Sequence, residues 1–121
     1  MSNEIAPIRL QVQAQPELAR LVRMTAANVA MLSSMTVDRV EDLRMAAEEA
    51  FIYACGANPE GMIDITFTVD KTHVEIEYNM GQIAADDESS VYADLILTSV
   101  CDSYEKDYSS ARLVLDLKAD V

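Results

Sequence analysis

Apolar residues recur along this chain with two periods, one of strands and one of helices. From Ile8 to Val12 the sequence IRLQV alternates apolar and polar, the pattern of a half-buried strand. Pro16 follows, a residue suited to the first turn of a helix. From there Leu18, Leu21, Val22, Thr25, Val29 and Leu32 recur at helical spacing, and the helix is predicted to end near Ser33-Ser34. Arg20, Arg23 and Asn28 fall off that stripe. The clearest helix follows directly, from Thr36 to Gly56. Its Val40, Leu43, Ala47, Ala50 and Ala54 are separated by steps of three and four. Asp38 with Glu41 reads as a capping box, and Gly56 stands where a helix usually stops. A second stripe on this helix, Asp42, Ala46, Glu49 and Tyr53, is less ordinary. Side chains four apart stack on one face, so Glu49 and Tyr53 point together.

The second half of the chain returns to strands. In MIDITFTV, Ile63, Ile65, Phe67 and Val69 share one face. After a turn at Asp70-Lys71, HVEIEYN places Val74, Ile76 and Tyr78 on one face and Glu75 and Glu77 on the other. Residues 81–90, GQIAADDESS, read as a polar loop with three consecutive acids. From Val91 a third helix is predicted to about Asp102, with Tyr92, Leu95, Ile96 and Ser99 on its stripe. Tyr104 to Tyr108 and Ala111 to Lys118 form a second hairpin, in which Leu113, Leu115 and Leu117 alternate. No repeat, linker or low-complexity segment interrupts the pattern. The order predicts an α+β fold in one domain over residues 1–121. It is a two-layer α/β sandwich, with a mixed, mostly antiparallel sheet covered on one face by about three helices.

Length and composition are consistent with that picture. A chain of 121 residues suits a single domain, and half of its residues are hydrophobic, enough for a packed core. No apolar run is long enough for a membrane-spanning helix. The start, MSNEIAPIRLQVQ, has neither the basic nor the apolar segment of a secretory signal, so the expected location is the cytoplasm. Charge narrows the partners. The net charge of -12 argues against nucleic acid and against anionic lipid, and suits a basic partner or solubility alone. Cys55 and Cys101 lie far apart without CxxC spacing, so they are expected to be free, buried thiols.

Candidate chemistry is sparse. The single histidine, His73, stands at a strand start without an obvious partner, and no GxSxG, HExxH, P-loop or GxGxxG motif is present. Glu48 and Glu49 are adjacent, which on a helix separates them by about 100°, so they are no preset acid–base dyad. Asp86, Asp87 and Glu88 offer hard oxygen ligands but lack the alternation and turn glycine of a calcium loop, and are expected to be a solvated acidic loop. The same acids, next to the predicted third helix, would repel a triphosphate.

Two stretches carry a family resemblance: IRLQVQAQPELARLVRMTAANVA and VDRVEDLRMAAEEAFIYAC. Over nearly the whole chain the layout resembles the anti-sigma factor serine kinases, small members of the histidine-kinase-like ATPase superfamily. The resemblance implies an α/β sandwich whose nucleotide-binding helix is the one from Thr36 to Gly56. It matches Glu49, followed by Ala50, to the family's motif glutamate, a general base or its orienter. The motif asparagine that ligates magnesium falls at Tyr53, a bulky phenol poorly suited to a small octahedral ion. The family's Asp-x-Gly element, which reads adenine, becomes Asn79-Met80-Gly81. The glycine-rich lid before the third helix becomes Ser89-Ser90-Val91-Tyr92-Ala93-Asp94, without a glycine.

Three of these four features depart from the family pattern, and Tyr53 with Met80 is expected to fill the volume of the nucleotide. The resemblance therefore implies a bacterial, cytoplasmic regulator of the anti-sigma-factor type that works by protein–protein binding, with no cofactor and no metal. Its expected partners are a sigma factor or an anti-sigma antagonist, with a possible homodimer. Contact candidates are Arg20, Arg23 and Asn28 on the first helix, together with the acidic loop. The alternative is an active serine kinase that uses Mg-ATP at an atypical site, in which Glu49 would be catalytic.

Overall fold

Residues 5–83 and 87–119 are described by a computed structural model. Strand β1 (Ile5–Gln13) leads through a 3-10 turn (Pro16–Leu18) into helices α1 (Ala19–Ala30) and α2 (Val37–Ala57). The hairpin β2 (Met62–Val69) and β3 (His73–Asn79) follows, then α3 (Glu88–Val100) and the hairpin β4 (Ser103–Asp107) and β5 (Arg112–Lys118). The alternation seen in the sequence becomes an alternation of burial. Ile63, Ile65, Phe67, Val69, Val74, Ile76, Tyr78, Leu113, Leu115 and Leu117 are all buried, while the residues between them stay partly open. The buried row meets the helices. The other row, which holds Thr66, Thr68, Glu75, Glu77 and Asp116, forms a polar outer face.

The five strands lie in the order β1-β2-β3-β5-β4. Each neighbouring pair is antiparallel, so the sheet is purely antiparallel rather than mixed. The β2–β3 connection is built by Asp70, whose carboxylate accepts bonds from the backbone N–H of Thr72 and of His73. Asp107 does the same for Ser109 and Ser110 in the β4–β5 turn. The imidazole Nδ1 of His73 lies 3.2 Å from Asp70, and its Nε2 lies 4.0 Å from Asp116.

The helices depart from the sequence reading in their ends and in their faces. The cap of α2 is Thr36, whose hydroxyl accepts from the Arg39 N–H; Asp38 lies inside the first turn. Gly56 does not stop α2, which runs through it to Ala57 with Asn58 as the C-cap. On α1 the core face is Ala19, Val22, Ala26, Val29 and Ala30. Leu21 and Leu32, expected inside, are about half exposed. On α3, which begins at Glu88 rather than Val91, the inward residues are Ser90, Ala93 and Leu97, and Tyr92 and Leu95 face solvent. Small side chains make up most of both inward faces, beside Val22, Val29 and Leu97, while Leu21, Leu32, Tyr92 and Leu95 are left on the outer side. Cys55 is buried, whereas Cys101 is partly exposed; both are free thiols. Burial pushes the Cys55 thiol up to about 11 and that of Cys101 up to about 12. No helix among the described residues is long and apolar enough to cross a membrane.

Candidate functional site

Helix α2 lies at the centre of the helical layer, touching α1, α3, β3 and β5. Its buried face is almost sealed: Leu43, Ala46, Ala47, Ala50, Phe51 and Ala54 have no exposed surface. The helix is fastened to the sheet by Tyr78, whose fully buried hydroxyl donates to the Ala47 carbonyl at 2.7 Å. Burial raises the Tyr78 phenol well above its ordinary value, so it stays a neutral donor.

On the flank of α2, Glu49 and Tyr53 are both half-buried. Glu49 makes no hydrogen bond or ion pair within the described residues, whereas its neighbour Glu48 is bound by Arg23 of α1 at 3.3 Å. Tyr53 is held in a cluster that the sequence did not signal. The Lys106 ammonium on β4 lies 4.6 Å from the centre of the Tyr53 ring and 5.7 Å from that of Tyr108. The same ammonium donates to Asp94 of α3 at 2.9 Å, and the Tyr104 hydroxyl donates to the other Asp94 oxygen at 2.6 Å. The Lys106 side chain is only 7% exposed, which makes this a largely desolvated cation–π and ion-pair junction. Burial and the Asp94 carboxylate push the Tyr104 phenol far up, so it remains a proton donor to Asp94. Helices α2 and α3 are thereby tied to the sheet edge at β4.

The remaining site candidates lie elsewhere. Asn79 is exposed in the row of Glu75 and Glu77, on the side of the sheet away from the helices. Its side-chain oxygen is taken by the N–H of Gly81 at 3.1 Å. Gly81 adopts a left-handed φ of 77°, which suits glycine. Between them Met80 is fully buried, and its carbonyl accepts from the Asn58 side chain at 2.6 Å. Asn58 sits just past the end of α2, so Gly81 is near that end while Asn79 is turned away from Glu49 and Tyr53. At the start of α3, Asp87 caps the helix: its carboxylate accepts from the Ser90 N–H at 2.9 Å, and the Ser90 hydroxyl accepts from the Asp87 N–H at 2.7 Å. Asp87 is thus a structural cap rather than part of a free acidic loop. Asp86 lies outside the described residues. Of the contact candidates, Arg20 and Asn28 stand outward, but Arg23 turns in toward Glu48. Among the described residues no group of three or more His, Cys, Asp or Glu is placed to hold a metal.

A second polar junction, also silent in the sequence, lies at the other end of α2. Arg39 donates to the carbonyl oxygens of Lys118 (2.8 Å) and Val100 (3.2 Å), and to the carboxylates of Asp42 and Asp102. It joins the first turn of α2 to the end of α3 and to β5, on the wall of a surface cleft of about 630 Å3.

The architecture defines the class first. Over 95% of this chain it superposes, with a TM-score of 0.66 and 11% identity, on the crystal structure of the RsbU and RsbW domains of a Mycobacterium tuberculosis protein, covering 32% of that chain. The shared fold is an α+β sandwich, a five-stranded antiparallel sheet covered on one face by three helices. No family model matches the chain. The sequence is 32% identical over 80 residues to serine-protein kinase RsbW of Bacillus subtilis, covering 63% of this chain and 50% of the relative. It is 33% identical over 73 residues to that of Oceanobacillus iheyensis, covering 57% of this chain and 46% of the relative. The chain is thus similar, over about three fifths of its length, to serine-protein kinases of the RsbW type. It spans about half the length of the curated relatives it matches.

Proposed function

We propose that this protein is a regulator of the anti-sigma-factor type that acts by binding other proteins and does not transfer phosphate. The observation that carries this reading is the fixed position of Tyr53. Its ring faces the Lys106 ammonium, and Lys106 is itself held by Asp94. A magnesium ligand at this position would need an oxygen free to meet a hard cation in octahedral geometry, and an aromatic ring over a buried ammonium does not supply it.

Three further features support the same reading, because the residues present do not fit Mg-ATP. The N–H of Ser90, a group that a phosphate could use at the start of α3, is bonded to the carboxylate of Asp87. The Asn79 oxygen that would accept from adenine is bonded to Gly81 and lies on the outer side of the sheet. Asp87 and Glu88 add negative charge where phosphates would lie. On this reading the protein works in the cytoplasm through a sigma factor or an anti-sigma antagonist.

One observation favours the alternative, an active kinase. Glu49 is half-buried with no bound partner among the described residues, as a general base awaiting its substrate would be. Isothermal calorimetry with Mg-ATP separates the two. The expected result is no detectable heat for the native protein and none for Tyr53→Asn, since the Asp87 cap and the turned-away Asn79 remain. Binding at about micromolar Kd that disappears in Glu49→Ala would establish the kinase instead.

A further inference from the structure

Helix α3 carries its large apolar side chains on the outside. Val91, Tyr92 and Leu95 are 59%, 62% and 70% exposed, while the small Ser90 and Ala93 face inward with Leu97. Residues three and four apart on a helix are neighbours, so these three side chains form one continuous strip across adjacent turns. Single exposed apolar residues are ordinary; a contiguous strip of this kind marks a contact surface.

The charges around the strip determine what it suits. From Met80 to Ala111 the sequence contains one basic residue, Lys106, and its ammonium is bonded to Asp94 beneath the helix. Asp87 and Glu88 are exposed at one end of α3; beyond the other, Asp102 and Asp42 share the single cation Arg39, which leaves that end net acidic. An apolar strip with carboxylates at both ends repels anionic lipid. It also repels a second copy of itself, which would bring its own carboxylates and a net charge of -12. It complements a helix with an apolar stripe and basic residues along its edges. Helix α3, 13 residues long, offers about 20 Å of contact, enough for a helix to seat anchors at two or three successive turns.

We propose that the Val91–Tyr92–Leu95 strip is the docking surface for a basic amphipathic helix of a partner protein. This rests on the reading of the chain as a protein-binding regulator and assigns that binding a surface and a partner chemistry. Tyr92 supplies the aromatic anchor, Val91 and Leu95 the apolar floor, and the flanking carboxylates fix the orientation of the incoming helix and speed its arrival.

The test uses the whole chain, labelled with nitrogen-15, and a synthetic Leu-Lys helix of about 15 residues, with a permuted peptide of identical composition as control. The expected result is amide shifts concentrated on residues 88–99, affinity that falls with salt, and weakening of about tenfold or more in Leu95→Ser and for the permuted peptide. Leu95 is exposed, so Leu95→Ser leaves the fold intact, which circular dichroism verifies. Equal binding of the permuted peptide, unchanged affinity in Leu95→Ser, or shifts confined to the acidic outer face of the sheet would each overturn the proposal. So would a doubling of mass, or partition into neutral phosphatidylcholine vesicles, that Leu95→Ser abolishes, since a second copy or a lipid would then be the occupant. Nucleotide calorimetry is independent of these outcomes: failure of the strip leaves the Mg-ATP result standing, and Mg-ATP binding leaves the peptide titration standing.

Discussion

Replacing Arg39 with methionine removes four interactions while keeping a long apolar stem. The Arg39 side chain is only 15% exposed, so the site is not an ordinary surface ion pair. Two of its bonds run to backbone carbonyls, Lys118 and Val100, which have no side chain to readjust. A hydrogen bond from a charged donor contributes about 1.5–3 kcal/mol. The two carboxylate partners, Asp42 and Asp102, are 44% and 37% exposed, so each adds about 0–1 kcal/mol after solvent screening. Water reaches part of the cleft and rehydrates some of the freed groups. Taking the low end of each range gives a loss of about 3 kcal/mol for Arg39→Met, or about 12 °C in Tm for a chain of this length. Arg39→Lys keeps the charge but loses the fork that reaches α3 and β5 together, so it is expected to lose about half as much. Urea unfolding at neutral pH measures both variants. A loss below about 0.5 kcal/mol in Arg39→Met, or full rescue by lysine, would show that the junction is a surface ion pair and that α2 and α3 are held by apolar packing alone.

Three further outcomes are expected. Tyr78→Phe removes only the hydroxyl that reaches the Ala47 carbonyl in the core and should cost about 1 kcal/mol in urea unfolding, with an unchanged m-value. Gly61→Ala would place a methyl 2.2 Å from the Asn58 side-chain nitrogen, forcing Asn58 off the Met80 carbonyl; a loss of about 1–3 kcal/mol in thermal unfolding is expected, and Asn58→Ala should largely remove the added penalty. Acid should destabilise the protein, because the bonds accepted by Asp70, Asp102 and Asp107 hold their pKa values below 3.8 in the folded chain. Depressed folded values stabilise fully above 3.8 and lose that contribution as pH falls through them, at about 2 for Asp107; Asp116, raised by burial, acts in the opposite sense. Circular dichroism between neutral pH and pH 2 should therefore show a falling Tm below about pH 4, and a flat profile would contradict the turn geometry.

The five strands were legible in the sequence because a sheet covered on one face turns alternation directly into burial, as in β2 and β5. The extent of α2 was legible to within a residue or so at each end. The resemblance likewise anticipated the fold. The helix faces were not legible. Hydrophobic periodicity weights large residues, and here α1 and α3 face the core mostly through Ala19, Ala26, Ala30, Ser90 and Ala93, beside Val22, Val29 and Leu97, and the small ones carry little of that signal. For that reason Tyr92 and Leu95 read as core and lie at the surface. The polar junctions were not legible either. Arg39 meets Asp102 across 63 positions of chain, and Asp94 meets Lys106 only because α3 packs beside β4. Such pairs are set by topology, since no local spacing brings them together. Sequence alone determined the strands, the α+β order and the absence of a familiar catalytic motif. Tertiary structure decided which side of each helix is buried, what surrounds Tyr53, and that Asn79 faces away from Glu49, because close packing through small side chains and long-range polar contacts leave no periodic trace in the chain.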